Sequence, residues 1–478
     1  MCVLSSHAQG QTYDANMVQR MNQLEAETQA LRAELKRFQE QQPMRLPETN
    51  SAGVPAMPVS DSASASTSNY LEDSPPLPTE ASSAPYAPNT QGEPQYFTLD
   101  QLKGEMKKLV WKKGDFTITP YGYLWGNMVY ETERSTVGDY TLYVNSPQEN
   151  GQGQPTFHVD ARNTRLGFDV LGPRLACLNC AQTGGKVEID FQNNLINPNT
   201  ENRGTVLLRH AYFEAKDDQF RLVAGQTWDV ISPLNPNSIM YSVYWDAGNI
   251  GYRRAQFRGE RYFALSDTVL LTMQGSVNGN IVADTIPAGV VGDQSSWPTI
   301  EGRAALTLGE RGKGCLPITV GVSSHIGEQE FSFANAQQLP ARTWSLNADW
   351  KVPMNEYWGF QGECFVGENL SQFLGGIGQG YDFTLRRSIY SQGGWIEGYY
   401  YWTDKFHSHI GYTLDDPLDS DITPAAGRTY NQVIWGNVIY DVTKQFQLGL
   451  EVGSWRTLFQ AETPADSIRT ELMVRYGF

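Results

Sequence analysis

The final residues, "SIRTELMVRYGF" (Ser467 to Phe478), set Leu472, Val474, Tyr476 and Phe478 on one side and Glu471, Met473, Arg475 and Gly477 on the other. A period of two marks a strand whose two faces meet unlike surroundings. The alternation recurs from Asp115 onward. In "KVEIDFQ", Val187, Ile189 and Phe191 alternate with Lys186, Glu188, Asp190 and Gln192. A soluble sandwich does not normally place charge at every second position of so many strands. Sixteen strand candidates start near 116, 157, 185, 205, 219, 251, 267, 298, 316, 341, 356, 388, 405, 428, 445 and 467. The connections after the first, fifth and eleventh are long (about 132–156, 230–250 and 371–387), whereas 216–219, 266–267 and 443–444 are tight. Short turns at one rim and an even strand count predict an all-β fold, a closed antiparallel transmembrane β-barrel over 115–478. The last strand then pairs with the first and leaves no edge. Lipid covers the apolar faces, and Trp350, Trp358, Tyr399, Tyr400, Tyr401, Trp402, Trp435 and Tyr440 are candidates for aromatic girdles.

Upstream the periods change. Residues 1–8 end in "SHA" before Gln9 and read as the remnant of a secretory signal. Within 9–42, Met17, Met21, Leu24, Leu31, Leu35 and Phe38 keep heptad spacing, with Thr28 in the remaining slot, which predicts a coiled-coil helix. Arg20 with Glu25, and Glu27 with Arg32, suit parallel copies of one helix. Residues 43–95 form a Pro/Ser-rich linker with too few apolar positions to order itself. Over 96–114 a short basic amphipathic helix is expected, with Leu99, Leu102, Met106, Leu109 and Val110 on one face and five lysines on the other.

Composition narrows the classes. No run of about eighteen apolar residues exists, so transmembrane helices are excluded. Hydrophobic residues at 40%, beside 45 Gly and 24 Tyr, fit strands that face water on one side. The net charge of −16 offers nothing to a nucleic acid, and many acids (Asp139, Asp284, Asp293, Asp415, Asp416, Asp419, Asp421) fall in presumed outer loops. Charges there are screened beyond about 8–10 Å, so net charge does not set the selectivity of a pore. "CLNC" (Cys177 to Cys180) lacks a second ligand pair for zinc and reads as a local disulfide or free thiols in a turn. None of the six His joins a recognisable Ser or Cys arrangement. No enzyme, cofactor or metal site is expected.

A terminal Phe after alternating apolar residues resembles the outer-membrane insertion signal of Gram-negative porins. A heptad segment ahead of a sixteen-stranded barrel is similar to the DcaP-like trimeric porins, as are "NTRLGFDV", "LRHAYFEA" and "RLVAGQTWDVISPLNPNS". The long linker and the "CLNC" turn depart from that pattern. The resemblance implies a homotrimer in outer-membrane lipid that passes small organic anions.

Within that frame, "DVISPLNPNSIMYSVYWDAGNI" (Asp229 to Ile250) is the loop that porins fold into the lumen. Its apolar content suits a tucked segment, with Asp229, Tyr244, Trp245 and Asp246 as constriction residues; burial at a subunit contact is the alternative. Parity points Arg165, Arg254 and Arg258 inward and leaves Arg209 uncertain, because His210 would then face out. These four arginines could line one wall and bind carboxylates through paired hydrogen bonds. The plainer alternative pairs them with inward Glu188, Asp190 or Glu214. Arg261 falls on the outward side and belongs near a rim, at a bulge or against a neighbouring subunit. The expected function is passive diffusion of small hydrophilic solutes, with organic anions such as dicarboxylates preferred. An alternative is an anchor reaching the cell wall through the N-terminal coil.

Overall fold

The structure, a computed structural model, describes residues 110–147, 154–192, 204–281, 290–294, 296–312, 314–333, 338–424 and 427–478. The signal remnant, coil and linker lie outside these residues, as does most of the expected helix over 96–114. That helix does not run to 114. Trp111–Lys113 form a short strand paired with Phe116–Ile118. Gly114, at φ +60°, reverses the chain between them in a conformation that breaks an α-helix.

Sixteen strands then close into one antiparallel barrel. They are β1 (Phe116–Glu131), β2 (Thr156–Asp160 continued by Arg165–Leu175), β3 (Ala181–Asp190), β4 (Leu207–Lys216) and β5 (Phe220–Trp228). Next come β6 (Arg253–Ser266), β7 (Val269–Asn278), β8 (Thr299–Leu308), β9 (Ile318–Phe333), β10 (Gln338–Pro353) and β11 (Trp358–Glu368). The wall ends with β12 (Tyr390–Tyr401), β13 (Phe406–Pro417), β14 (Arg428–Asp441), β15 (Phe446–Phe459) and β16 (Ala465–Gly477). β1 pairs with β16 from Tyr123↔Gly477 to Glu131↔Arg469, so no edge remains. Phe478 completes the seam. Its amide donates to the Gly122 carbonyl at 2.9 Å, and its ring lies where a Cβ on Gly122 would sit 2.8 Å from the ring tip. Only glycine fits there.

The two faces of the wall differ as the alternation requires. Leu472, Val474 and Tyr476 are 42–47% exposed on the outside, whereas Glu471 and Met473 are 1% and 2% exposed within. An outer face of exposed Leu, Val, Ile and aromatic side chains is stable only against lipid. Tyr400, Trp402, Trp358 and Tyr440 take girdle positions on that face. Trp435 does not. It shares parity with Val433 and Ile439, points inward and stacks on Tyr244 at 5.1 Å.

The lumen is partly filled. The connections 132–147, 229–252 and 369–389 contribute residues with almost no exposure, among them Val144, Tyr244 and Phe373. One apolar cluster joins Val144, Met240 and Tyr244 to Val433, Trp435 and Trp455 of the wall, and another joins Ile231 and Ile250 to Phe365, Leu370 and Phe373. Asp415 and Asp421, expected in outer loops, are buried instead: Asp415 accepts from Ser391 at 2.6 Å, and Asp421 pairs with Arg387 at 2.6 Å.

Two irregularities matter for the site. β2 is interrupted at 161–164, where those residues face 124–126 of β1 without regular pairing. The Trp125 amide, left without its ladder partner, donates to the Thr164 hydroxyl at 3.1 Å. In β4, Glu188 pairs with His210 and Ile189 with Leu208, so Arg209 is an extra residue in a bulge. Both Arg209 and His210 therefore turn inward, at 3% and 9% exposure. His210 does not face out.

Candidate functional site: the lumen and its constriction

The segment 229–252 leaves β5 and crosses the lumen along the inner faces of β8 to β15. It is held by a succession of glutamates. Glu301 of β8 accepts from the Val230 amide at 2.6 Å, and Glu363 of β11 accepts from the Leu234 amide at 2.7 Å. Glu397 of β12 accepts from the Asn237 amide at 2.7 Å and its side-chain amide at 2.8 Å. Glu451 of β15 takes Ser238 Oγ at 2.6 Å, the Ile239 amide at 2.9 Å and the Tyr244 hydroxyl at 2.7 Å. A non-regular segment has amides that no ladder satisfies, and leaving them dry in a protein interior is costly. Inward carboxylates satisfy them with charge-assisted bonds. One edge of the loop, including Pro233 and Asn237, stays exposed to the open lumen.

The expected constriction residues all lie in this segment. Asp229 grips Arg254 through Nε at 2.6 Å and Nη2 at 3.1 Å, and also accepts the Tyr252 amide. Asp246 accepts the Gly378 amide at 2.9 Å and donates its own amide to the Leu374 carbonyl, docking 369–389 onto the loop. Burial, with Asp415 nearby, pushes the Asp246 carboxyl up to about 7. Trp245 stands within 6.3 Å of Trp228, Tyr241 and Tyr252 by ring centres.

The four arginines do not behave alike. Arg209 is enclosed between Glu188 at 2.7 Å and Asp190 at 2.8 Å. Arg254 is 2% exposed, bound by Asp229 and laid over the Phe373 ring at 3.9 Å. Arg258 pairs with Glu260 at 2.5 Å. Arg165 alone has no carboxylate within ion-pair distance among the described residues. It emerges directly after the break in β2, 5.4 Å from the Tyr123 ring centre. A second such cation comes from β16. Arg475 lies 5.5 Å from the Tyr123 ring centre and 5.8 Å from that of Trp125, again without a described carboxylate partner. Trp125 packs against Ile239 of the loop, Ile439 and Met473, which puts this pair of guanidiniums beside the loop.

Sequence parity contained Arg475, since it alternates inward with Glu471 and Met473, but its distance from the other arginines in the chain hid the relation. Arg253 was also missed. It is 2% exposed, with Nη1 and Nη2 lacking hydrogen-bond partners, and lies 4.8–5.7 Å from the ring centres of Tyr252, Trp228 and Trp245. Arg261 faces outward near the short-turn rim, 3.0 Å from Gln219 Oε1. Towards that rim the inner face is more exposed: the Asp169 side chain is 56% exposed and pairs with Lys186 at 3.0 Å. Cys177 and Cys180 are exposed and unbridged in the first short turn. Among the described residues no three His, Cys, Asp or Glu side chains form a metal-holding group.

No protein-family model and no curated protein matches the chain. Solved structures do. The outer membrane channel DcaP of Acinetobacter baumannii superposes with a TM-score of 0.62 at 18% identity, covering 77% of this chain and 99% of that one. An anion-selective porin from Comamonas acidovorans gives 0.46 at 12% identity, over 76% of this chain and 100% of that one. OprB of Pseudomonas putida gives 0.49 at 9% identity, over 79% and 96%. At these identities the likeness speaks for the fold. The chain shares with the DcaP channel the fold of a closed sixteen-stranded antiparallel barrel.

Proposed function

We propose that the chain is a passive diffusion porin for small hydrophilic solutes that prefers organic anions such as dicarboxylates, and that it works as a homotrimer. The observation that carries the anion preference is the Arg165 and Arg475 pair flanking Tyr123 beside the loop, two cations with no described counter-charge at contact distance. Arg209, Arg254 and Arg258 are already neutralised, so they contribute far less to the field a solute meets. A dicarboxylate can engage both free guanidiniums through paired hydrogen bonds, which a monovalent inorganic anion cannot do. Passage needs no covalent step and no cofactor.

Planar-bilayer recording of the purified full chain tests this. A tenfold salt gradient should give a reversal potential on the anion side. The double replacement Arg165→Ala with Arg475→Ala should lower the anion-to-cation permeability ratio by about fivefold, the weight of about 1 kcal/mol. An unchanged reversal potential would refute the assignment. The heptads and linker in the sequence favour a second reading, an anchor reaching the cell wall through residues 9–95. A barrel that never conducts would leave that role standing alone.

A further inference from the structure

Four glutamates hold the loop, and one of them is itself held by histidine. Glu397 Oε1 faces His409 Nδ1 at 2.7 Å, His409 Nε2 faces His407 Nδ1 at 2.8 Å, and His407 Nε2 faces Asp441 at 3.6 Å. The series runs from buried to wet. Side-chain exposure is 0% at Glu397, 1% at His409, 13% at His407 and 36% at Asp441, which ends β14 at the short-turn rim. His407 and His409 share a face because they are two apart on one strand.

The hydrogen bonds fix where protons sit. Ionised Glu397 only accepts, so His409 donates through Nδ1 and leaves Nε2 as an acceptor. His407 must then donate through its own Nδ1, which leaves its Nε2 bare and turned towards Asp441. A single proton can enter there without breaking any bond in the series, and it creates an imidazolium next to a carboxylate. A second proton, on His409 Nε2, would remove the acceptor of the His–His bond. The series therefore has one open position for a proton, His407 Nε2, and none at His409 that leaves the His–His bond intact.

We propose that His407 and His409 are a proton-responsive element of the lumen wall, through which mild acid adds one positive charge near the constriction-loop anchor Glu397 and raises the channel's preference for anions. This rests on the reading of the chain as a conducting pore. The groups facing the pair are few. β12 presents Glu397, Tyr399 and Tyr401, with the two tyrosine rings 6.4 Å from His409 and 5.1 Å from His407. β14 presents Asp441, which also accepts from Gln447 of β15 at 2.7 Å. The adjoining turn supplies Lys405, whose Nζ is directed to the Val442 carbonyl at 3.3 Å. Among the described residues Glu301, Glu363 and Glu451 have no histidine partner, so the response is confined to one anchor.

The test is the reversal potential of the full chain in a salt gradient, read as pH falls from about 7.5 to about 4, which covers the ordinary histidine range and the acid side of it. The anion-to-cation ratio should rise about two- to fivefold, the weight of one unit charge a few ångströms from the path in water. His407→Gln, which cannot be charged, should conduct normally and lose the rise. Asp441→Asn keeps both imidazoles and should move the same rise to lower pH, giving a second reading if His407→Gln does not fold. The same rise in His407→Gln as in the parent, or no rise in the parent, would overturn the proposal. A parent barrel silent at every pH would instead overturn the pore reading beneath it, and is distinguishable for that reason.

Discussion

The inner wall has two halves that use charge in opposite ways. From β8 to β13 the ladders run without a register shift, and the inward glutamates are spent on the backbone of an inserted loop. From β1 to β4 the ladders break three times, at 161–164, between Leu171 and Arg174, and at Arg209. Two of those breaks deliver an arginine into the lumen, Arg165 after the first and Arg209 within the last. Regular wall gives a scaffold for the inserted loop, and broken wall re-aims side chains into the lumen. A count of inward charges misses this division, because Glu301, Glu363 and Glu397 are engaged by loop amides while Arg209, Arg254 and Arg258 are paired with carboxylates.

The largest effect should come from the contacts that seat the inserted loop, foremost Arg254 of β6 on Asp229. Arg254→Ala leaves Asp229 buried without its guanidinium and also frees the Gln372 carbonyl that Nη2 meets at 3.1 Å. Breaking a buried pair in this way costs about 3–5 kcal/mol. The folded barrel in detergent should unfold at distinctly lower temperature or urea, and its conductance should rise as the loop loosens. If Arg254→Ala kept parental stability and simply lost anion preference, the two-halves division would be wrong.

Glu451→Gln should act in the same sense with less force. Four donors converge on that carboxylate, the fourth being Asn437 Nδ2 at 2.9 Å. An amide can accept some of them but must turn its own NH2 towards the rest. A cost of about 1–3 kcal/mol is expected. The readout is noisier and larger single-channel current, with the reversal potential unchanged.

The fold was legible because a barrel in lipid imposes one rule, alternation, on every strand. Strand number, the alternating loop lengths and the inward fold of an apolar connection all follow from that rule and were readable in Leu472 to Phe478 or in Ile239 to Trp245. What alternation could not show is what meets across the lumen. The Ile239 amide binds a carboxylate 212 positions away, and nothing local in "PNSIMYS" names Glu451 as its partner. Bulges were equally opaque. His210 reads as outward only if one residue is counted for each step, and Arg209 breaks that count. Parity reads Arg165 as inward, yet parity cannot show that Glu188 is taken by Arg209, which the bulge in β4 turns inward.

The smallest effect sharpens the solute half. Tyr123 lies between Arg165 and Arg475, with guanidinium-to-ring distances of 5.4 Å and 5.5 Å. Cation–π attraction at partly exposed sites is worth about 0.5–1 kcal/mol. The ring therefore sits between both cations and holds them at one level of the lumen. Tyr123→Leu keeps an apolar side chain and removes the attraction, and net lumen charge is untouched. The reversal potential in simple salt should stay nearly constant, while current block by an added dicarboxylate should weaken about two- to fivefold, because the two guanidiniums are no longer set to receive two carboxylates together. Equal loss for a monocarboxylate and a dicarboxylate would mean that the arginines act only as diffuse charge, and that the broken half of the wall positions nothing.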